Sequence, residues 1–211
     1  MKINVIPSTK KLADAEREKC VAEPGFGKYF TDHMVVAEWN QNSGWSDVTV
    51  KEYGPLSLDP AAMVFHYGQE IFEGMKAYSQ PDGSIALFRP EANGLRFAKS
   101  AARITLPELP VDDFVAAVKA LVVQDAGWVP KKIGESLYIR PFMIATEVGL
   151  GVRPSNKALF AVIATPAAAY FNAAKSVTVW ISTEYVRAAL GGTGEAKCGG
   201  NYAASLLAQQ Q

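Results

Sequence analysis

Cysteine is almost absent from this sequence: Cys20 and Cys198 are the whole supply in 211 residues. Two thiols so far apart make neither a disulfide framework nor a zinc site, and the expected setting is reducing and cytoplasmic. Net charge is missing as well. The 21 basic and 21 acidic residues cancel, which leaves no electrostatic footprint for nucleic acid or an anionic membrane, and no basic run is interleaved with aromatics. Long apolar runs are lacking too. No stretch reaches membrane-spanning length, and the opening Met-Lys-Ile-Asn-Val-Ile-Pro-Ser has no signal-peptide core. Internal repeats and low-complexity segments are absent. What is present is apolar mass, 49% of the residues, enough to bury one or two cores without covalent staples. Small molecules are the expected partners.

The chain alternates strand-like and helix-like stretches. Residues 8–21 read as a marginal surface helix or arm ending before Pro24. Met34 to Trp39 reads as a strand, a polar turn follows at residues 40–44, and Asp47 to Tyr53 is a second strand. His33, at the mouth of the first strand, reads as structural rather than catalytic. The aromatic-rich stretch from Met63 to Tyr78 reads first as core. Pro81-Asp-Gly83 joins a strand ending near Tyr78 to one over residues 84–89, a hairpin. Pro90 with Glu91 in the first turn predicts a helix to Arg103, and Phe114, Val118 and Leu121 mark another over residues 111–124. Ser136 to Ala145 alternates and then runs apolar, a strand entering a core, with Tyr138 and Arg140 on one face. An arginine in such a strand needs a partner, because an unpaired buried charge is costly. Leu159 to Thr165 is a further strand, residues 166–174 a connector without clear period, residues 177–181 a strand, and a helix begins at Asn201.

One stretch concentrates chemistry: Gly191-Gly-Thr-Gly-Glu-Ala-Lys197-Cys-Gly-Gly-Asn-Tyr202. Glycines on both sides of one lysine fit a backbone that turns tightly or is closely approached where Lys197 projects. The plainer reading is a surface loop with a solvated lysine. Nucleotide loops fail on the letters: Ala196 and Cys198 flank the lysine where a Walker loop needs Gly and Ser or Thr, and a dinucleotide fingerprint counted from Gly192 puts Lys197 at its third glycine. The remaining chemical role is an amine nucleophile that forms a Schiff base with a carbonyl compound such as pyridoxal phosphate, which would also need cations for the phosphate. Cys198 reads as a small packing residue.

Six blocks, in order from about Phe26, together resemble the branched-chain amino-acid aminotransferases, pyridoxal-phosphate enzymes of the D-amino-acid-transaminase type. They are Phe30-Thr-Asp-His-Met, His66-Tyr-Gly-Gln-Glu-Ile-Phe-Glu-Gly-Met-Lys-Ala-Tyr78, Leu87-Phe-Arg-Pro, Ser136-Leu-Tyr-Ile-Arg-Pro141, Gly149-Leu-Gly-Val and the lysine stretch. The resemblance implies an α+β, two-domain fold with residues 1–167 as a small N-terminal domain, 168–178 as linker and 179–211 as the start of a larger cofactor-binding domain. It implies pyridoxal 5'-phosphate as cofactor, Lys197 as its Schiff-base and proton-transfer lysine, Arg96 and Arg187 as phosphate arginines, and Tyr202 as a hydrogen-bond partner of the cofactor's phenolic oxygen. Phe30, Tyr67, Phe72, Tyr138 and Val152 match the side-chain pocket, and Arg140 matches its substrate-carboxylate side. The implied reaction is transamination of Leu, Ile and Val with 2-oxoglutarate as acceptor. Val152, reaching a second subunit in the family, implies a homodimer.

The likeness has a departure. Family members continue well past the lysine, and the later part supplies the acidic partner of the pyridine nitrogen and the rest of the phosphate site. The stop at Gln211 therefore leads to the expectation of an N-terminal part with weak or no activity alone. Val148 stands where relatives often have proline, which touches loop stiffness only. D-amino-acid transaminases and aminodeoxychorismate lyases share the implied fold, and a non-catalytic remnant is the reading from a different class.

Overall fold

The computed structural model describes residues 1–169, 176 and 178–210. Strand β1 (Ile3–Val5) and helix α1 (Asp14–Ala22) precede β2 (His33–Asn40), β3 (Gly44–Trp45) and β4 (Val48–Glu52). Then come helix α2 (Met63–Tyr67), strands β5 (Glu70–Phe72), β6 (Met75–Ser79) and β7 (Ile85–Leu87), and helices α3 (Pro90–Arg103) and α4 (Val111–Gln124). A single 3-10 turn at Ala126–Trp128 leads to the two longest strands, β8 (Ser136–Ala145) and β9 (Lys157–Ala167). Beyond them the described residues hold two short helices, α5 (Gly199–Ala203) and α6 (Leu206–Gln209).

Among the described residues all the strands join one mixed sheet in the order β1-β4-β2-β9-β8-β6-β7, with β3 beside β2 and β5 beside β8. Only β1 and β4 run parallel; the other pairings are antiparallel. The α+β class expected from the resemblance is what the structure has. Helices α3 and α4 cover the sheet through a cluster of aromatic rings: Phe97 lies 5.2 Å from Phe114 and 5.6 Å from Phe160 of β9, and Phe114 lies 6.1 Å from Phe160. Each is buried, and full burial of such a side chain contributes about 1.5–3 kcal/mol. The start of α3 follows from its letters, with Pro90 at the first helical position, Glu91 in the first turn and Arg103 in the last, complementing the helix dipole.

Strands β5 and β6 lie end to end along β8, and the ladder is interrupted at Glu73 and Gly74. Phe72 pairs with Phe142 and Met75 with Ile139, while the Glu73 amide alone donates to the Pro141 carbonyl, at 2.8 Å. This break turns the Glu73 side chain into the protein, where it is fully buried.

Several expectations need correction. Residues 8–12 are not helical, because their polar groups bond across the chain instead: the Ser8 amide donates to His33 Nε2 at 2.9 Å and the Leu12 amide to Asp32 at 2.8 Å. His33 is wholly buried, its Nδ1 2.6 Å from Asp125, which is the structural role expected of it. Strand β9 runs through Pro166 and Ala167, where a connector was expected. Its pairing with β2 has ended at Val162, so the missing proline N–H costs no ladder bond on that side. Residues 178–181 form no strand, and Val177 lies outside the described residues. So do residues 170–175 of the expected linker, and Gln211. The last helix starts earlier than expected, at Gly199, and is split in two near Ser205, whose hydroxyl bonds back to the Tyr202 carbonyl at 2.8 Å.

Candidate active site

Between Thr178 and Cys198 no described residue belongs to a strand or helix, yet the lysine stretch is held at many points. The Lys197 amide donates to the Ser100 hydroxyl of α3 at 2.9 Å, and the Lys197 carbonyl accepts from the Phe72 amide of β5 at 3.0 Å. The Gly199 amide donates to the Glu70 carboxylate. Asn201, buried, donates to the carbonyls of Ala196 at 2.7 Å and Thr193 at 2.8 Å, and accepts from the Thr193 hydroxyl at 2.9 Å. Arg103 at the end of α3 donates to the carbonyls of Gly191 and Gly192, at 3.0 and 2.9 Å. Ala196 and Cys198, on either side of the lysine, are buried in the sheet's core cluster, so Cys198 packs as expected.

This scaffold aims the amine. Lys197 Nζ donates to the Tyr202 hydroxyl at 2.6 Å and sits 4.6 Å from the centre of the Phe72 ring. Phe72 and Tyr202 are themselves in contact, with ring centres 4.9 Å apart. The Arg140 guanidinium also lies over Phe72, at 4.6 Å, and donates to the Tyr138 hydroxyl at 2.9 Å. That is the shared strand face expected from the sequence. Two cations over one ring gain from its quadrupole. Arg140 Nε is buried and has no hydrogen-bond partner among the described residues, so the guanidinium keeps capacity for an acceptor.

Arg96 is placed by a residue that the sequence reading passed over. Its Nε and Nη2 grip the two oxygens of Glu73 at 2.5 and 2.7 Å. Glu73 takes further bonds from Asn93, at 2.8 Å, and from the Gly74 amide, at 3.2 Å. The carboxylate is fully buried while the Arg96 side chain is 54% exposed, so the fork is fixed on one edge and open to solvent on the rest. The bond to Glu73 pushes the Arg96 guanidinium still higher than its ordinary value. Glu70 is pushed up, mainly by burial, against the opposing pull of the Gly199 amide and the Arg140 charge.

The structure thus brings Lys197, Tyr202, Phe72, Arg140 and Tyr138 together, with Arg96 joined to the Phe72 strand through Glu73. Tyr67 donates to the Leu150 carbonyl. It lines, with Ile104, Val152, Thr193, Cys198 and Gly200, a groove of about 550 Å³ beside the lysine stretch. Val152 is 85% exposed. Phe30 stacks on Tyr53 at 5.1 Å, and no contact with the lysine cluster is recorded for it among the described residues. Arg187 is exposed and, among the described residues, makes no hydrogen bond or ion pair. Glu70, Glu73, Ser100 and Asn201 were missed. The available signals were an acidic residue breaking an apolar strand, a serine one turn after Arg96, and an asparagine between glycines and Tyr202. Among the described residues no cluster of three or more His, Cys, Asp or Glu could hold a metal, and no helix is long and apolar enough to cross a membrane.

No family model matches the chain. It is 61% identical over 211 residues to a probable branched-chain-amino-acid aminotransferase of Streptomyces coelicolor, covering 99% of this chain and 58% of that protein. It is 56% identical over 213 residues to the branched-chain-amino-acid aminotransferase of Mycolicibacterium smegmatis, covering 100% of this chain and again 58% of the relative. Among solved structures, a T.th. branched-chain amino acid aminotransferase complexed with N-(5'-phosphopyridoxyl)-L-glutamate superposes with a TM-score of 0.63 at 24% identity, over 89% of this chain and 55% of that one. The enzyme from Thermoproteus uzoniensis with norvaline gives 0.61 at 20% identity, over 83% and 55%. These two likenesses speak for the fold, and the chain spans little more than half the length of the relatives it matches. At this identity along its whole length, the chain is similar to the branched-chain-amino-acid aminotransferases over the part of them that it spans.

Proposed function

We propose that this chain supplies the reactive amine and part of the cofactor and substrate contacts of a pyridoxal 5'-phosphate-dependent aminotransferase. Its substrates are the branched-chain amino acids Leu, Ile and Val, with 2-oxoglutarate as amino acceptor. The observation that carries this is the placement of Lys197 Nζ, 2.6 Å from the Tyr202 hydroxyl and against the Phe72 ring, on a backbone clamped at both its amide and its carbonyl.

The donor set fits the cofactor: a lysine amine, an adjacent phenol, an arginine fork open on one side and an apolar ring. When bound, pyridoxal phosphate supplies an electron sink for the charge left at the substrate Cα. The chain's own residues do the rest. Lys197 Nζ would hold the cofactor at its aldehyde carbon, and the same amine would move the proton at the substrate Cα. Tyr202 holds Nζ in place, and its hydroxyl would face the cofactor's phenolic oxygen. The open edge of Arg96 would hold the phosphate, with Arg187 as a second cation. Arg140, with donors to spare, takes the substrate carboxylate, an interaction that suits a planar fork. Phe72 and Tyr138, with Tyr67 and Val152 of the adjoining groove, form the apolar slot, and Phe30, stacked on Tyr53, stands apart from it. One methylene there is worth about 1–3 kcal/mol, so the slot favours branched side chains as a class.

Residues 1–167 form the small domain of this enzyme, 168–178 its linker and 179–211 the first part of the cofactor-binding domain. Val152, at 85% exposure, reaches toward a second copy in a homodimer, and the enzyme works in the cytoplasm. The test adds pyridoxal phosphate to the purified protein, records the absorbance near the visible edge, reduces with borohydride and maps the labelled peptide. Label on Lys197 is the expected result; label scattered over other lysines, Lys76 included, overturns the assignment. A panel of L-branched-chain acids, D-amino acids and aminodeoxychorismate then separates this activity from the two that share the fold.

A further inference from the structure

Helix α3 carries three polar side chains at successive turns, and each reaches a different part of the site. Arg96 grips the buried Glu73 carboxylate with Nε and Nη2, at 2.5 and 2.7 Å. Ser100, one turn on, accepts the Lys197 amide at 2.9 Å. Arg103, another turn on, donates to the Gly191 and Gly192 carbonyls at 3.0 and 2.9 Å. Residues at i, i+4 and i+7 share one helix face, and four residues advance the axis by about 6 Å. The helix is fixed from behind, since Phe97 and Ala101 are buried in the core cluster.

From this arrangement we infer that Ser100 is a positioning residue for Lys197, holding the reactive amine at a fixed height above the Arg96 cation through the rigid rise of α3. Serine inside a helix usually turns its hydroxyl back to a carbonyl of the preceding turn. Here the oxygen, in a side chain only 1% exposed, accepts an amide from 97 residues away. That amide belongs to a stretch without any strand or helix to satisfy it, and a buried N–H without an acceptor is strongly disfavoured. The opposite side of the same residue is fixed by β5, through the Phe72 amide on the Lys197 carbonyl. Lys197 is therefore suspended between one helix and one strand of the sheet. Among the described residues Ser100 is the only side chain in that clamp, the Phe72 contact being made by backbone.

The role rests on the proposed part of Lys197 as the covalent anchor, and the test keeps the two apart. The first readout uses the protein without any cofactor: hydrogen exchange of the peptide that contains the Lys197 amide. Ser100→Ala is expected to raise exchange there about tenfold or more, as for loss of one satisfied buried amide, with helix content unchanged by circular dichroism. Ser100→Thr, which keeps the hydroxyl, is expected to retain the wild-type rate. Ser100→Cys is close to serine in size and a poor acceptor, so it is expected to follow Ala; it also stands in if Ser100→Ala fails to fold. Exchange unchanged in both Ala and Cys overturns the proposal.

The second readout is labelling by pyridoxal phosphate and borohydride. Lys197 labelling is expected to fall about tenfold or more in the Ala and Cys variants, in line with the cost of small misplacements, and to recover in Thr. A purely structural serine would lower the melting temperature and leave the labelling of folded protein as in wild type, and that pattern also overturns the proposal. A wild-type protein that takes no label on Lys197 refutes the covalent-anchor reading instead, and the exchange experiment still decides whether Ser100 fixes the backbone.

Discussion

Strand ladders hold residues 1–167 in shape, whereas residues 179–210 are held by side chains reaching into backbone. In the first region β8 and β9 alone pair continuously from Ser136 with Ala167 to Ala145 with Ala158, and the apolar faces of two helices close over them. In the second, side chains from elsewhere or from within satisfy a backbone that has no ladder, among them Ser100, Glu70, Arg103 and Asn201. The sheet spreads its stability over many interchangeable apolar contacts, and such cores tolerate substitutions that keep volume and pattern. The lysine stretch concentrates its shape in a few polar contacts with no substitutes. The role proposed for Lys197 is better served by the second arrangement, because a few directional bonds can place one atom while leaving its surroundings open.

The largest effect should come from the sheet side. Phe114→Ala removes a wholly buried ring that touches both Phe97 and Phe160, and a loss of about 3–5 kcal/mol is expected, read as a fall in the denaturation midpoint of the whole protein. A small shift confined to α4 would break the comparison by showing the core to be less cooperative than its packing implies. Asn201→Ala should act on the other region only. It deprives two carbonyls and one hydroxyl of their partner, a cost of about 1–3 kcal/mol. Hydrogen exchange should rise in residues 191–203 with the strands unchanged. Equal loosening of β8 and β9 would mean that the lysine stretch is part of the sheet's folding unit.

The smallest effect concerns pH. Burial raises the Glu70 carboxyl above its ordinary 4.5, so between that value and its raised one the folded protein binds more protons than the unfolded chain. Its contribution therefore turns unfavourable as pH rises through that window and is relieved below it. Glu147 is shifted the other way, lowered first by its bond to Arg153, and its favourable contribution is lost as pH falls through the lowered value. Glu70→Gln should flatten the stability profile just above pH 4.5 and leave in place the acid limb to which Glu147, Glu52 and Asp82 contribute. A profile that keeps its slope there in Glu70→Gln assigns the titration to another group.

The elements legible in the sequence were those whose cause is local. Pro90 and Glu91 announced α3, the Pro81-Asp-Gly83 turn announced the hairpin of β6 and β7, and alternation announced β8 with Tyr138 and Arg140 side by side. Failures came where a distant partner decided. Residues 8–12 gave up helix for bonds to His33 and Asp32, and Pro166 stayed in a strand because the neighbouring strand had already ended. The site divides along the same line. Lys197 stood out among its glycines, and the resemblance supplied Tyr202, Arg96 and Arg140. Nothing in one dimension tied Ser100 to Lys197 or Glu73 to Arg96, since each bond exists only after the sheet and α3 have formed.

Gly199 shows how tightly the two regions are joined. A side chain at that position would collide with the Glu70 carboxylate, the same group that receives the Gly199 amide. The first methyl added there would evict the oxygen that the backbone depends on, so steric room and hydrogen bonding are lost in one step. Positions 70 and 199 are therefore coupled through one contact. A change at either alters what the other can tolerate, although one lies on a strand of the sheet and the other two residues past Lys197.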